Sequence, residues 1–344
     1  MTARKEDNMH DRISYLDSLK VLAAFCVIFI HAASGIWHKS DVYSPEYFVI
    51  NIYEGLIRWC VPAFAMISGA IFMRRDIPLR VIFSKYIFRI FTAFIFWSVF
   101  YAIIHYHVNE DFDMAVTLLI TGYFHMWYLP MTMALYAVIP FMKLIAKSES
   151  LTKYFLVLSL IAFLAFPQAI NTTLLFSGLY GNILSQLRGN FYFSLAGGFT
   201  GYFLLGYVLS VIEIDSRLER MIYASGIAGF IMTVILAHSA SVMTGEPDQR
   251  FYDAMNIHIM LVSVAVFVYF RTHNVSSEFM SRLSRYSLGA YLIHAELLRI
   301  ARLMNVFSFC PLIAIPVVSL AVLVISYALS ALLNQIPFVN KYIV

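Results

Sequence analysis

Residues 15–31 read YLDSLKVLAAFCVIFIH. Asp17 and Lys20 stand at the head of an apolar run from Val21 to Ile30, and the run meets His31 well before the next hydrophilic stretch. About 20 apolar residues carry a helix across the hydrocarbon of a bilayer, so a helix over 14–37 is long enough to span. On that helix Lys20 and His31 fall within about 20° of each other and about 16 Å apart along the axis, and Asp17 shares nearly the same face. One stripe therefore carries charge near one end and an imidazole toward the other half. A lone buried histidine is more often a hydrogen-bonded packing residue. Here the stripe weighs against that reading, because lipid satisfies neither group and a polar interior satisfies both.

The whole chain agrees with a membrane class. It has 344 residues, 61% hydrophobic and 13% charged, with a mean hydropathy of +0.76. A soluble domain is roughly half apolar and a quarter charged. No hydrophilic stretch exceeds roughly twenty residues, against the ~50 that a separate domain needs. The opening residues MTARKEDNMHDR precede a run too long for a signal peptide, with no small-residue cleavage site after it. Cys26, Cys60 and Cys310 sit in apolar surroundings with no disulfide or metal spacing.

Hydropathy predicts an all-α, polytopic membrane helix bundle of about ten spans, near 14–37, 48–73, 81–105, 127–146, 152–170, 191–212, 220–243, 254–271, 286–304 and 311–334. Residues 1–13 form a cytoplasmic segment in this reading, and 335–344 a cytoplasmic tail. The stretch 112–124 is too short to cross. The break over 171–190 reads as a re-entrant or external loop. Lys and Arg concentrate in alternate loops, for example Arg74, Arg75, Arg80, Lys143, Lys147 and Arg282. Such a bias marks the cytoplasmic side and puts both termini there. No inverted repeat of the kind many transporters carry is visible.

An ionisable residue costs at least ~2.5 kcal/mol at the centre of a span, so each one is a candidate for function. The first three spans hold Asp17, Lys20, His31, Glu54, Arg58, Lys85 and Arg89. Snorkelling at span ends explains some of these, Lys85 among them; Arg58 is too deep for that. In the second span, Pro62 predicts a kink. The fourth opens with His125, Trp127 and Tyr128, which on composition alone is an interfacial aromatic belt. The ninth carries Ser287, Tyr291 and His294 at i, i+4, i+7, on one helical face, and Glu296 beside them.

Taken in order, these residues form a pattern: Asp17, Lys20 and His31; Arg58, Pro62, Phe64, Ser68 and Gly69; Arg89; Trp127, Tyr128, Leu129 and Pro140; Ser287, Tyr291 and His294. The chain resembles the integral-membrane acyltransferase 3 family over nearly its whole length, and most closely the stand-alone members without a fused periplasmic domain. It departs from the family pattern at Lys20, where Arg is commoner, and at Tyr86, which takes the first basic position of the third-span motif with Lys85 beside it.

The resemblance implies an O-acyltransferase, acetyl first, of the bacterial cytoplasmic (inner) membrane. It implies acetyl-CoA or another acyl-CoA as donor and a glycan or lipid-linked sugar as acceptor, with membrane lipid around it and neither metal nor nucleic acid. Lys20, Arg58, Lys85 and Arg89 are the expected CoA contacts, as cations suited to phosphates. His31 is the expected catalytic base, with Asp17; an acyl-histidine intermediate is chemically open as well. His125, Trp127, Tyr128, Tyr291, His294 and Glu296 are expected along the acceptor's approach. A transporter or flippase for a small polar or lipid-linked substrate is the alternative from another class. A purely structural partner in a polysaccharide assembly fits less well, since an inert scaffold has no use for so many buried cations.

Overall fold

The computed structural model describes residues 13–190, 198–308 and 310–344, and among them every regular element is helical. In chain order these are α1 (Ser14–Trp37), α2 (Pro45–Ile57), α3 (Cys60–Phe72), α4 (Leu79–Asn109), α5 (Phe112–Thr121), α6 (Tyr128–Ala137), α7 (Ile139–Ala146), α8 (Glu149–Phe176), α9 (Gly178–Asn190), α10 (Phe199–Val211), α11 (Ser216–Thr244), α12 (Ile257–Thr272), α13 (Glu278–Leu283), α14 (Ser287–Leu303), α15 (Pro311–Leu333) and α16 (Pro337–Tyr342). Seven spans are long and apolar enough to cross a membrane: α1, α2 with α3, α4, α8, α11, the stretch Arg250–Thr272 ending in α12, and α15. The pair α6 and α7, bent by 53°, makes an eighth if it counts as one broken span. The two other expected spans correspond to shorter helices, α10 and α14.

The helix ends follow local chemistry. Ser44 accepts from the Tyr47 N–H at 3.1 Å and Pro45 opens α2. Asp215 accepts from the Leu218 N–H at 2.7 Å to start α11, and Gly245, at φ 75°, closes it. Such side chains take up N–H groups left unpaired in a first turn. The second span breaks between α2 and α3, at Arg58 and Trp59. Pro62 has no N–H for the Arg58 carbonyl four residues back, so the ladder fails there. Residues 171–190 differ from the expected loop. They complete α8 and form α9, with the helix interrupted at Ser177, which has an extended φ of −153°.

Where α3 crosses α10, the backbones nearly touch. A Cβ on Gly69 would lie 1.7 Å from the Phe203 carbonyl oxygen, and one on Gly206 2.1 Å from that of Met66. Successive spans reverse direction, so Lys20, Ser284 and Arg89 share one end of the bundle with the 73–78 and 273–286 turns. Residues 342–344 return to that same end against Arg89 and Thr92. We term this the basic end; the 38–44 and 245–256 turns mark the opposite end.

Gly69→Ala is expected to destabilise the purified protein by about 1–3 kcal/mol, the usual cost of overpacking, read as earlier loss of monodisperse protein on heating. Gly178→Ala, with nothing within 4 Å of its added methyl, is the control and should behave as wild type. Equal behaviour of the two variants contradicts the close crossing.

Candidate active site

One cavity of about 920 Å³ runs through the bundle. At the basic end it is walled by Lys20, Arg89 and Arg285. His31, Arg58, His125, Tyr128 and Tyr291 line its middle, and Asn171, Gln249, Arg250 and Asp253 line the opposite end. The aromatic residues Trp127 and Phe199, with ring centroids 5.8 Å apart, also border it.

Three histidines meet at the waist of this cavity. The His31 ring is stacked on that of His294 at 5.4 Å, and His125 sits edge-on to His294 at 5.0 Å. His125 and His294 are 1% and 0% exposed, while His31 is partly open. The backbone at His31 and at His125, and the ring of His294, are each held from outside. The His31 carbonyl accepts from the Arg302 guanidinium, and Gly35 leaves room for that group: a Cβ there would lie 3.0 Å from Arg302 Nε. The Tyr291 hydroxyl donates to the His125 carbonyl. His294 Nδ1 bonds the Tyr291 carbonyl. A carbonyl only accepts, so in the neutral ring Nδ1 carries the hydrogen and Nε2 keeps a lone pair. Among the described residues that Nε2 makes no hydrogen bond, and neither does either ring nitrogen of His125; the Leu292 backbone lies near His125 without bonding geometry. Buried polar atoms are ordinarily paired, so these nitrogens mark a place built to receive water or a ligand. No group of three or more His, Cys, Asp or Glu among the described residues is arranged to hold a metal.

The acyltransferase 3 family model, described as an acyltransferase domain, matches residues 13–333. The chain belongs to the acyltransferase 3 family. No curated protein and no solved structure matches it. Membership makes it a multi-pass membrane protein of an acyltransferase family, and the residues that carried the resemblance can be located in the fold.

His31, His125, Trp127, Tyr128 and Tyr291 line the cavity; His294 stands directly behind His31. Lys20 and Arg89 line its basic end. Four expectations need correction. Asp17, expected to act with His31, lies about 21 Å from it along α1 and accepts from the Ser284 hydroxyl at 2.6 Å; it belongs to the basic end. Lys85 is exposed, 5.5 Å over the Tyr86 ring, and does not reach the cavity. A π-helical turn over Ile82–Ile87 sets the helix phase so that Tyr86 and Arg89 face inward instead. Glu296 is two residues, about 200°, round the helix from His294, and pairs with Arg299 at 2.6 Å outside the cavity wall. Arg58, expected among the phosphate contacts, is turned toward the opposite end. It is ion-paired with the fully buried Glu54 and lies 4.4 Å over the Tyr252 ring. Its charge also reaches His38 in the 38–44 turn, whose imidazole is lowered below the ordinary histidine range first by burial and then by Arg58.

Sequence reasoning did not single out Arg285, Arg250 or Arg302. Arg285 had a readable signal, two residues before Ser287. Arg302 had another, since Glu296, Arg299 and Arg302 repeat at helical spacing on a span that should be apolar.

Glu54→Ala removes the counter-charge that pairs with Arg58 and should cost about 3–5 kcal/mol, as for other broken buried pairs. Glu54→Ala combined with Arg58→Met should recover most of that loss. Thermal stability in detergent reads both, and a double variant no better than Glu54→Ala argues against the pair.

Proposed function

We propose that this acyltransferase moves an acyl group, acetyl first, from acyl-CoA to a hydroxyl of an extracytoplasmic glycan or lipid-linked sugar, in the cytoplasmic membrane of a bacterium. The observation that carries the reading is one cavity of about 920 Å³ with cations at one end, an imidazole cluster at its waist and mixed polar and aromatic groups at the other end. CoA is a polyanion with a long, thin thioester arm. Lys20, Arg89 and Arg285 suit its phosphates as charge-assisted donors. The ~16 Å of helix between Lys20 and His31 is comparable to the reach of that arm. The Lys/Arg bias toward the basic end supports a cytoplasmic location for it.

In the proposed reaction, a His31 ring nitrogen takes the proton of the acceptor hydroxyl as its oxygen attacks the thioester carbonyl. A C–O bond forms, the C–S bond breaks, and the proton passes from His31 to the departing sulfur to give CoA thiol and ester. Arg58, near the waist, is the charged group suited to the oxyanion that develops on the carbonyl. His294, with its hydrogen on Nδ1, keeps the lone pair of Nε2 free beside the stacked His31 ring, where it can accept from a water or the incoming hydroxyl. Gln249, Arg250, Asp253 and Trp127 supply the hydrogen bonds and stacking surface that sugars use.

His31→Ala should lower transfer from labelled acetyl-CoA by at least ~100-fold, the lower range for a general base, with normal expression and unchanged CoA affinity. Near-normal turnover overturns the assignment of the base. Arg89→Ala and Arg285→Ala should each weaken CoA binding by about 1.5–3 kcal/mol, as for a lost charge-assisted contact. Arg58→Ala should lower the catalytic rate far more than CoA affinity. Calorimetry with CoA separates these outcomes, and a CoA affinity that depends on Arg58 but not on Arg89 or Arg285 reverses the proposed direction of donor entry.

A further inference from the structure

The family match ends at residue 333, and the segment beyond it is built into the basic end of the cavity. After α15 the chain turns at Asn334–Ile336, forms the short α16, and runs back between α4 and α14. Ile343 and Val344 are 6% and 1% exposed and belong to one apolar cluster with Ile90, Phe94, Trp97 and Leu292. Gly289 leaves room on that side of α14: a Cβ there would lie 2.3 Å from Ser330 Oγ and 3.1 Å from the Cβ of Val344. Three successive backbone carbonyls are then taken up by α4: Thr92 Oγ1 donates to Tyr342 at 2.6 Å, Trp97 Nε1 to Ile343 at 3.2 Å, and Arg89 Nη2 to Val344.

The last of these contacts matters most, because Arg89 lines the cavity. A long cationic side chain left to itself samples many rotamers, and fixing it costs ordering entropy at the moment of binding. Here one guanidinium nitrogen is already held from behind, while Arg89 Nε is buried with no hydrogen-bond partner among the described residues. Thr92 and Trp97, at i+3 and i+8 from Arg89, hold the same strand of backbone on the same helix.

We propose that residues 342–344 are a positioning element for the acyl donor: with Tyr342 and Ile343 clasped by Thr92 and Trp97, the main-chain oxygen of Val344 holds the Arg89 guanidinium in the orientation that receives an anionic group of CoA. This rests on the donor reading given above. The element acts through Arg89 and takes no part in the acyl-transfer step itself.

The test is a double-variant cycle on the purified full chain, with CoA as the probe in calorimetry. Wild type, a chain ending at Lys341, Arg89→Ala and the combination of the two are compared. Thr92→Val, which removes one clasp at a half-buried position, is the milder second variant should the shortened chain fold poorly. The shortened chain is expected to bind CoA roughly three- to tenfold more weakly, with the transfer rate at saturating donor little changed, as for a preorganising contact. Removing 342–344, or replacing Thr92, should add nothing in the Arg89→Ala background. Weakening that persists undiminished in that background, or CoA affinity unchanged by both clasp variants, overturns the positioning role and leaves the donor site standing. No CoA binding by wild type overturns the donor reading and this proposal with it.

Discussion

Hydrocarbon offers no partner to an imidazole, a guanidinium or a carboxylate, and the fold is arranged around that constraint. The polar groups of α1, α2, α4 and α14 can be satisfied only by facing one another. They do so across the cavity of about 920 Å³, with outer surfaces left largely to Phe, Leu, Ile and Val. Glu54 and Arg58 show the constraint most plainly. The carboxylate is fully buried, its charge partner Arg58 lies one helical turn on, and the helix breaks just there because Pro62 denies the Arg58 carbonyl its hydrogen bond. The break that would be a defect in an ordinary span puts a cation at the waist of the cavity. Close crossings such as that of α3 on α10, with glycine at each contact, then bring the remaining walls near enough to enclose it.

Much of this was legible in the sequence, for physical reasons. The apolar stretches fall on helices wherever they are described, since hydropathy over a span-length window reports burial in lipid directly, but among the described residues only seven, or eight with the bent pair, are long and apolar enough to cross, against the ten expected. The stripe from Lys20 to His31 predicted a polar interior because helical phase is reliable within one unbroken helix. Lys85 was expected inside because it stands beside the motif position that Tyr86 occupies; the π-helical turn over Ile82–Ile87 brings Tyr86 to the cavity instead. Depth alone does not give direction either: Arg58 is deep enough to reach either end, and its direction is set by Glu54 and Tyr252, one of them from a distant turn. Asp17 and Glu296 were grouped with histidines near them in sequence or pattern. Distance along α1 separates the first from His31, and a 200° turn of α14 separates the second from His294.

The meeting of His31, His125 and His294 was not readable, because it joins the first, fourth and ninth expected spans. Composition made an interfacial aromatic belt the better reading of His125, whereas the structure buries it at the cavity wall. The fold of 342–344 onto Arg89 was equally hidden. A short stretch after the last span reads as a tail by length alone, and only the main-chain oxygens it presents to Thr92, Trp97 and Arg89 reveal it as part of the basic end.

The central claim is directional: donor enters at the basic, cytoplasmic end, chemistry occurs at His31, and the acceptor is acylated from the other side. Sealed inside-out vesicles containing the protein and its native acceptor test it directly, with labelled acetyl-CoA supplied only to the exposed cytoplasmic face. The account predicts labelled acceptor in the lumen, where the donor itself cannot enter. Label confined to the outer face of the vesicles would contradict it and make the reaction one that begins and ends on the cytoplasmic side.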